Sequence, residues 1–367
     1  MTIKTLLISS VGSLVGQNIL DALEQRREKL RIIGVNSEAG AGNNFRCDRT
    51  YLLPPAAQAQ AYRQALADVI KEEAVDLVIP GRDADVIVLS QMRDERPEWA
   101  ELLLVGSVAA AQVMDDKVAS YQFAQPAGLP FAPTVSSDAD NAQPMALQLL
   151  EQFGFPMIAK PRCGNGSRGI RVLTQASHLE RALQQPGMAI QPMLDTATDL
   201  DLDLSAGLPF FWAVPETRLY GVQTLILPNG ELGPAFGYMA SMVNGRLERI
   251  AACRDAELLS IAHNFSTAMA KIGWRGPFNL QLKRDPRHGF QAIEMNGRFS
   301  GGTSARRHLG FDEVALILNQ WLHDNLVPML GPPVGLNSVV NKSLSDFPVP
   351  QAEQDTLQQE RVWTRSY

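Results

Sequence analysis

Glu294, Asn296 and Arg298 alternate along the stretch of this chain best equipped for chemistry. They lie in Gln291 to Thr303, QAIEMNGRFSGGT, which begins as a strand after the turn-forming His288-Gly289. A strand repeats every two residues, so the three side chains point to one face. That face carries a carboxylate, an amide and a guanidinium in a row. Glu and Asn oxygens suit a hard Mg²⁺ ion, and the Arg fork suits phosphate oxygens. Ser300-Gly301-Gly302 then lets backbone come close to a ligand. Upstream, Phe278 to Lys283 reads as the partner strand, joined by a turn over Asp285 to Gly289. Gln281 on that strand adds an oxygen beside Glu294. Taken alone, the same residues would equally make a solvated strand face with ordinary cross-strand pairs.

A second chemical stretch lies earlier. Phe155 to Pro161, FPMIAKP, is an apolar strand with Lys160 near its far end. Arg162 to Gly169, RCGNGSRG, comes next as a glycine-rich loop, and Ile170 to Leu173 reads as the returning strand. A lysine beside a loop of free backbone N–H groups makes an anion cradle. The order differs from a Walker A loop, because here the lysine precedes the glycines. The bland alternative is a hairpin loop with a snorkelling lysine.

These stretches need a scaffold. Residues 1–112 alternate short apolar strands (Thr5 to Ile8, Arg31 to Val35, Val75 to Ile79, Leu102 to Val105) with helical segments such as Ala61 to Glu73. The pattern predicts a Rossmann-like α/β domain with a parallel sheet. Gly12 and Gly16 permit a tight strand-to-helix turn, but their spacing is not Gly-x-Gly-x-x-Gly, so a dinucleotide site is not indicated. Pro80-Gly81-Arg82-Asp83 falls at the carboxyl end of a strand, where open α/β sheets bind ligands. Arg82 and Asp83 are therefore in reach of a site, Arg82 as a substrate candidate, with a plain surface loop as the alternative. Asp115 is the expected N-cap of a helix running to about Ala127. Ala142 to Phe153, Ala256 to Ile272 and Phe311 to Asp324 read as further helices.

In order and approximate spacing, Lys117, Lys160-Pro161 with Gly164-x-Gly166-Ser167-x-Gly169, Gln281 and Glu294-x-Asn296-x-Arg298 resemble the ATP-grasp superfamily. The likeness is strongest to the synthetase modules of the carbamoyl phosphate synthetase large subunit and covers nearly the whole chain. It implies a pre-ATP-grasp domain over 1–112 and a small ATP-grasp subdomain with the lid loop over 113–187. A large subdomain with metal and acceptor site would take 188–330, and a peripheral extension 331–367. The extension would pack on the first domain or serve self-association. By resemblance, Lys117, Lys160, Gly166, Ser167, Arg168 and Gly169 hold ATP phosphates, Gln191 and Met193 lie along the adenine, and Asp199 holds the ribose. Asp201 and Asp203 read as an acidic outer face. Gln281, Glu294 and Asn296 would bind Mg²⁺, with Mn²⁺ as a substitute. Arg298 and Lys160 would act in phosphoryl transfer, and Arg306 or Arg307 would meet the acceptor carboxylate. His263 reads as packed or exposed rather than catalytic. Phe210, Phe211 and Trp212 would line a pocket or fill core, and Arg218 and Arg249 are further anion contacts.

Bulk properties narrow the function classes. The chain has 367 residues, 45% hydrophobic and 20% charged, with ample material for a large core. A net charge of -6 and a pI near 5.5 argue against nucleic acid as a partner. Cys47, Cys163 and Cys253 have neither zinc nor disulfide spacing, which suits a reducing cytoplasm. The apolar run near the amino terminus is too short for a signal peptide, and no stretch suits a membrane span. The expectation is an ATP-dependent ligase that activates a small-molecule carboxylate as an acyl phosphate for attack by an amine. A homodimer is allowed. The alternatives are phosphorylation of bicarbonate or carbamate, as in carbamoyl phosphate synthetase, and a non-catalytic ATP-binding regulatory module.

Overall fold

The structure is a computed structural model that describes residues 3–164, 168–194, 218–243, 246–329, 331, 338–343 and 345–365. Short apolar strands alternating with helices build a parallel sheet from β1 (Lys4–Ile8), β2 (Leu30–Asn36), β3 (Arg49–Leu52) and β4 (Leu77–Ile79). β1 pairs in parallel with both β2 and β4, Leu6 facing Ile32 and Leu77. Leu6, Leu7, Ile8, Ile32 and Ile33 are fully buried, because helices cover both faces of a parallel sheet. The helices are α1 (Leu14–Leu23), α2 (Ala59–Glu72) and α3 (Asp83–Glu95). Ser13 caps α1, its Oγ accepting from the Gly16 N–H at 3.0 Å. Gly16 is a steric requirement: a Cβ there would lie 2.3 Å from the Val11 carbonyl oxygen. The segment Leu102 to Val105, expected as a strand, makes only an isolated parallel bridge, Leu103 to Val78.

The predicted single helix after residue 115 is two helices, α4 (Val108–Asp115) and α5 (Lys117–Ala124). The break falls at Asp116, and Asp116 rather than Asp115 is the N-cap of α5. Its Oδ1 accepts from the Val118 N–H at 2.8 Å, which satisfies a donor that the helix leaves open. The next unit is a four-stranded antiparallel sheet of β5 (Val135–Ser136), β6 (Met157–Pro161), β7 (Arg171–Leu173) and β8 (Met188–Pro192), in the order β5-β8-β6-β7. Helices α6 (Ala142–Phe153) and α7 (Ala176–Leu183) share its core through Ala146, Leu149, Leu179 and Ala182.

The third sheet combines β9 (Leu219–Ile226), β10 (Leu232–Val243), β11 (Arg246–Ala252), β12 (Gly276–Asp285), β13 (Gly289–Asn296) and β14 (Val339–Asn341), ordered β13-β12-β9-β10-β11-β14. β9 is buried along its whole length beneath α8 (Ala256–Lys271). The buried stripe of α8 runs through Leu258, Ala262, Phe265 and Met269, the helical spacing that turns one face inward. His263 is exposed on the other side. Beyond the β12–β13 hairpin, α9 (Thr303–His308) and α10 (Glu313–Trp321) carry the chain back against α1.

The tail packs on the first sheet, one of its two expected placements. α11 (Gln351–Glu360) leads into β15 (Val362–Thr364), which pairs antiparallel with β3. Trp363 meets Phe45 edge-on at 5.2 Å, and Leu357 is fully buried. Among the described residues, no helix is long and apolar enough to cross a membrane. Leu357→Ala should lower the stability of the first sheet unit by about 2–5 kcal/mol through lost burial and a residual cavity. Urea unfolding monitored by tryptophan fluorescence measures this, and a wild-type midpoint would show that the tail contributes nothing.

Candidate active site

The β12–β13 hairpin sets out the oxygen ligands. Gln281 stands directly opposite Glu294, and Asn279 opposite Asn296. The register slips by one residue after Gln281, where Leu282 faces Ala292, so Ile293 is a bulge residue. A bulge bends its strand and re-aims the side chains beyond it. Gly297 completes the bend, because a Cβ there would come within 2.5 Å of the Trp274 ring and the Met114 methyl group. Without a side chain at 297, the strand end lies flat on Trp274 and Arg298 turns toward the first sheet.

Arg298 is held on several sides. Its Nε lies 2.8 Å from Asp83 Oδ1, and its Nη2 donates to Asp83 Oδ2 at 2.9 Å. Nη2 also donates to Asn296 Oδ1 at 3.1 Å, and Nη1 to the Phe299 carbonyl at 3.2 Å. Burial pushes the guanidinium pKa down, but the Asp83 carboxylate outweighs it and leaves the group more firmly cationic. Asp83 is the first residue of α3, so this ion pair joins the first sheet unit to the hairpin.

Lys160 approaches from β6, where it pairs with Ala189 of β8. Burial pushes its pKa down to about 8; Glu294 acts in the opposite direction, while Lys117 and Lys283 add to the lowering. Three lysines and one carboxylate therefore act on one another here. Lys117 Nζ donates to the carbonyls of Gly164 at 3.1 Å and Arg162 at 3.4 Å. Arg162 in turn grips Asp116 through Nη2 at 2.5 Å and Nε at 3.0 Å. Burial pushes Asp116 up, yet Arg162 and the Val118 N–H hold its carboxyl below the usual range. Asp115 is pushed up by burial, with Asp83 adding to the shift, and it hydrogen-bonds Cys163. The glycine-rich loop thus leaves a base fastened at Arg162, Cys163 and Gly164.

Other candidates fall in varied places. Arg168 and Gly169 are exposed at the returning end of the loop, Gly169 with φ 74°. Gly166, Ser167, Asp199, Asp201, Asp203, Phe210, Phe211 and Trp212 lie outside the described residues. Gln191 is buried, its Nε2 donating to Thr134 Oγ1 at 2.8 Å, and the Met193 N–H reaches the Pro156 carbonyl at 3.3 Å. Arg82 is exposed beside Asp83, and Arg307 is half-buried. Arg306 has no exposed surface: it pairs with Glu313 and donates to Gln223 Oε1 at 3.1 Å and Ser300 Oγ at 3.0 Å. That bonding places it beneath the Ser300-Gly301-Gly302 turn, where it braces the turn from inside. Arg218 and Arg249 are exposed.

Two participants have roles that the sequence does not disclose. Asp83 has a positional signal, the turn after β4, but nothing in the sequence pairs it with a residue 215 positions away. Lys342, in the tail, donates to the Gly301 carbonyl at 2.5 Å and to Asn18 Oδ1 at 2.7 Å. Burial lowers its pKa to about 8. No motif announces it.

The donor set fits a hard divalent ion. Among the described residues, no group of three or more His, Cys, Asp or Glu could hold a metal. Glu294 with the two amides Gln281 and Asn296 nevertheless offers oxygens carrying a single charge, which suits Mg²⁺ sharing its remaining positions with phosphate and water. The buried Asn296 Nδ2 has no partner among the described residues, while Oδ1 accepts a hydrogen bond from Arg298 Nη2. The amide is thereby oriented with its oxygen on the Arg298 side.

The three sheets, in this strand order, give this chain the ATP-grasp fold. No family profile matches it. It is 28% identical over 188 residues to biotin carboxylase from Allochromatium vinosum, covering 49% of this chain and 40% of that one. It is 33% identical over 159 residues to mitochondrial pyruvate carboxylase from Rattus norvegicus, covering 41% of this chain and 13% of that one. The chain therefore spans less than half the length of either. Among solved structures, the biotin carboxylase–β,γ-ATP complex from Campylobacter jejuni has TM-score 0.63 at 19% identity, covering 87% of this chain and 71% of that one. The biotin carboxylase domain of Hydrogenobacter thermophilus 2-oxoglutarate carboxylase, with MgADP, ADP and bicarbonate, has TM-score 0.65 at 14% identity, covering 90% and 73%. The L-amino acid ligase from Bacillus licheniformis has TM-score 0.63 at 15% identity, covering 88% and 75%.

The Lys160 shift has a consequence for stability. Its folded pKa, about 8, lies below the ordinary 10.5, so between these values the unfolded chain binds more protons. The lysine therefore opposes folding fully below pH 8, and this penalty, about 3 kcal/mol, disappears as pH rises toward 10.5. Lys160→Met should be more stable than wild type near neutrality and lose that advantage across this window. Chemical unfolding of both proteins from pH 7 to 10.5 tests it, and parallel stability profiles would contradict the burial of the cation.

Proposed function

We propose that this protein is an ADP-forming ligase that phosphorylates a carboxylate with ATP and passes the acyl group to an amine. The observation that carries this reading is the convergence of Lys160, Glu294 and Arg298, drawn from two sheets and fixed by the first. Lys160 and the loop fastened by Lys117 would hold phosphate oxygens, and Gly166, Ser167, Arg168 and Gly169 would cover them. Gln191 to Met193 would lie along the adenine, with Asp199 on the ribose. Gln281, Glu294 and Asn296 would hold Mg²⁺, or Mn²⁺ in its place, and the ion when bound would neutralise charge on the phosphates.

A carboxylate oxygen attacks the γ-phosphorus as the bond to ADP breaks. The amine then attacks the acyl carbon, loses a proton and expels phosphate. Phosphoryl transfer needs alignment and charge neutralisation more than covalent help from the protein. Lys160 and Arg298 would supply two cations largely shielded from water. Arg82 and Arg307 are candidates for the acceptor carboxylate, whereas the buried Arg306 would act on the acceptor through the turn that it braces. Residues 1–112, 113–187 and 188–330 are read as the pre-ATP-grasp domain and the two ATP-grasp subdomains. The free, scattered cysteines suit a cytoplasmic setting, and self-association as a homodimer fits this reading. Bicarbonate as the phosphate acceptor is the second reading, favoured by the carboxylases among the similar proteins and by the bicarbonate in one solved neighbour.

ADP release, measured with and without hydroxylamine trapping across a panel of amino acids, other carboxylates and bicarbonate, separates these readings. A hydroxamate with an organic acid supports the ligase, ADP with bicarbonate alone supports the second reading, and ADP with none of them rejects both. Lys160→Ala should weaken MgATP binding by roughly 1.5–3 kcal/mol, the scale of one charged hydrogen bond, as read by calorimetry. Unchanged affinity would remove Lys160 from the nucleotide site. Glu294→Gln keeps shape but removes the charge of the oxygen set, so it should retain nucleotide yet lose single-turnover ADP formation by orders of magnitude, on the scale of one lost electrostatic contact in a closed site. Turnover at the wild-type rate would reduce the hairpin to scaffolding.

A further inference from the structure

We propose that Asp83 is the positioning residue for Arg298, reaching the hairpin from the first sheet unit to fix which N–H of the guanidinium faces the transferred phosphoryl group. This rests on the ligase reading of the site. A guanidinium has five N–H donors in one plane. In Arg298 the Nε side and one Nη2 donor face the two oxygens of Asp83, at 2.8 and 2.9 Å. The other Nη2 donor goes to Asn296 Oδ1 and one Nη1 donor to the Phe299 carbonyl. A single Nη1 N–H meets no acceptor among the described residues. The Nε–Nη2 edge of the fork, one of its two two-point edges and a geometry that suits a carboxylate or a phosphate, is thus taken by the protein's own carboxylate. The remainder is one aimed donor beside the oxygen set of Glu294 and Asn296.

The surroundings fit positioning rather than a chance surface pair. Side-chain exposure is 12% for Arg298 and 19% for Asp83, so water competes little for the pair. Asp83 opens α3, where the helix dipole favours a carboxylate. Its backbone position is set by Gly81, whose missing Cβ would lie 2.1 Å from the Ser9 carbonyl oxygen, so the turn cannot relax around a larger residue. Ser13 Oγ donates to the Gly81 carbonyl at 2.9 Å and ties the same turn to the start of α1. The hairpin end is equally fixed, by Gly297 against Trp274. Both partners are therefore presented by backbone that has little room to move.

The test is a double-mutant cycle on single-turnover ADP formation, with MgATP affinity by calorimetry and thermal unfolding measured alongside. Asp83→Asn keeps the shape but weakens the grip. It should leave MgATP affinity unchanged, lower the melting temperature through the lost ion pair, and slow ADP formation on the order of 10²-fold, the scale of a small misplacement of a catalytic group. Asp83→Glu should recover part of the rate. In an Arg298→Lys background, which has already lost the guanidinium, Asp83→Asn should slow the reaction no further. A wild-type rate for Asp83→Asn, or penalties that multiply in the double variant, would overturn the proposal. A second readout does not need turnover. The Arg298 side-chain Nε–H resonance, identified by its loss in Arg298→Lys, should be protected from solvent exchange in the wild type and lose that protection in Asp83→Asn. If the wild type forms no ADP with any carboxylate or bicarbonate, the ligase reading fails, and this resonance alone decides whether Asp83 orients the guanidinium. Protection that survives in Asp83→Asn shows that it does not.

Discussion

Charge held out of water is the constraint on which this structure turns. Lys160, Arg298 and Arg306 are cations enclosed by protein, and each could remain ionised only with compensation nearby. The three solutions differ. Arg306 is paired with Glu313 and hydrogen-bonded through Nε and Nη2, while its Nη1 has no partner among the described residues. Arg298 is paired across two folding units by Asp83. Lys160 is compensated least: Glu294 favours its charge, yet burial still dominates and lowers its pKa. Of the three, Lys160 is the cation whose charge the protein balances least.

The pairing also explains how the sheets depend on one another. The hairpin carrying Glu294 could fold as a local antiparallel unit, but the direction of Arg298 is set from residue 83. The loop after Lys160 is set from residues 115–117, where the break between α4 and α5 places Asp115, Asp116 and Lys117 against Arg162, Cys163 and Gly164. The first sheet contributes the Asp83 anchor rather than a dinucleotide fingerprint. The turn after β4 holds a neighbouring part of the same chain.

What the sequence disclosed and what it withheld divide along physical lines. Local signals survived: the apolar runs of β1 and β2, the stripe of α8, and the alternation that put Gln281 opposite Glu294. Two local readings failed where a tertiary contact or a cap prevailed. The apolar Leu102 to Val105 segment forms a bridge instead of a strand, and Asp116 outcompetes Asp115 as the cap because its carboxylate meets both the Val118 N–H and Arg162. Charged residues were the hardest to place. Arg306 and Arg307 are adjacent and alike in sequence, yet one is entirely buried and the other half-buried, since the turn of α9 points them differently. Lys342 reaches Gly301 from the tail, and no periodicity encodes such a distant pair.

The seat of β15 on β3 has a temporal meaning. Val362 pairs with Tyr51, so the outer edge of the first sheet is completed by a strand that leaves the ribosome after all three sheets have otherwise been synthesised. Until then β3 presents unpaired backbone N–H and C=O groups, the kind of edge that recruits other strands. Closing so long a loop carries an entropic cost, which Trp363 against Phe45 and the burial of Leu357 offset. The tail thus works as a late-arriving seal: a chain interrupted before residue 362 would keep its chemical groups but carry a sticky margin, open to aggregation and to surveillance by proteases.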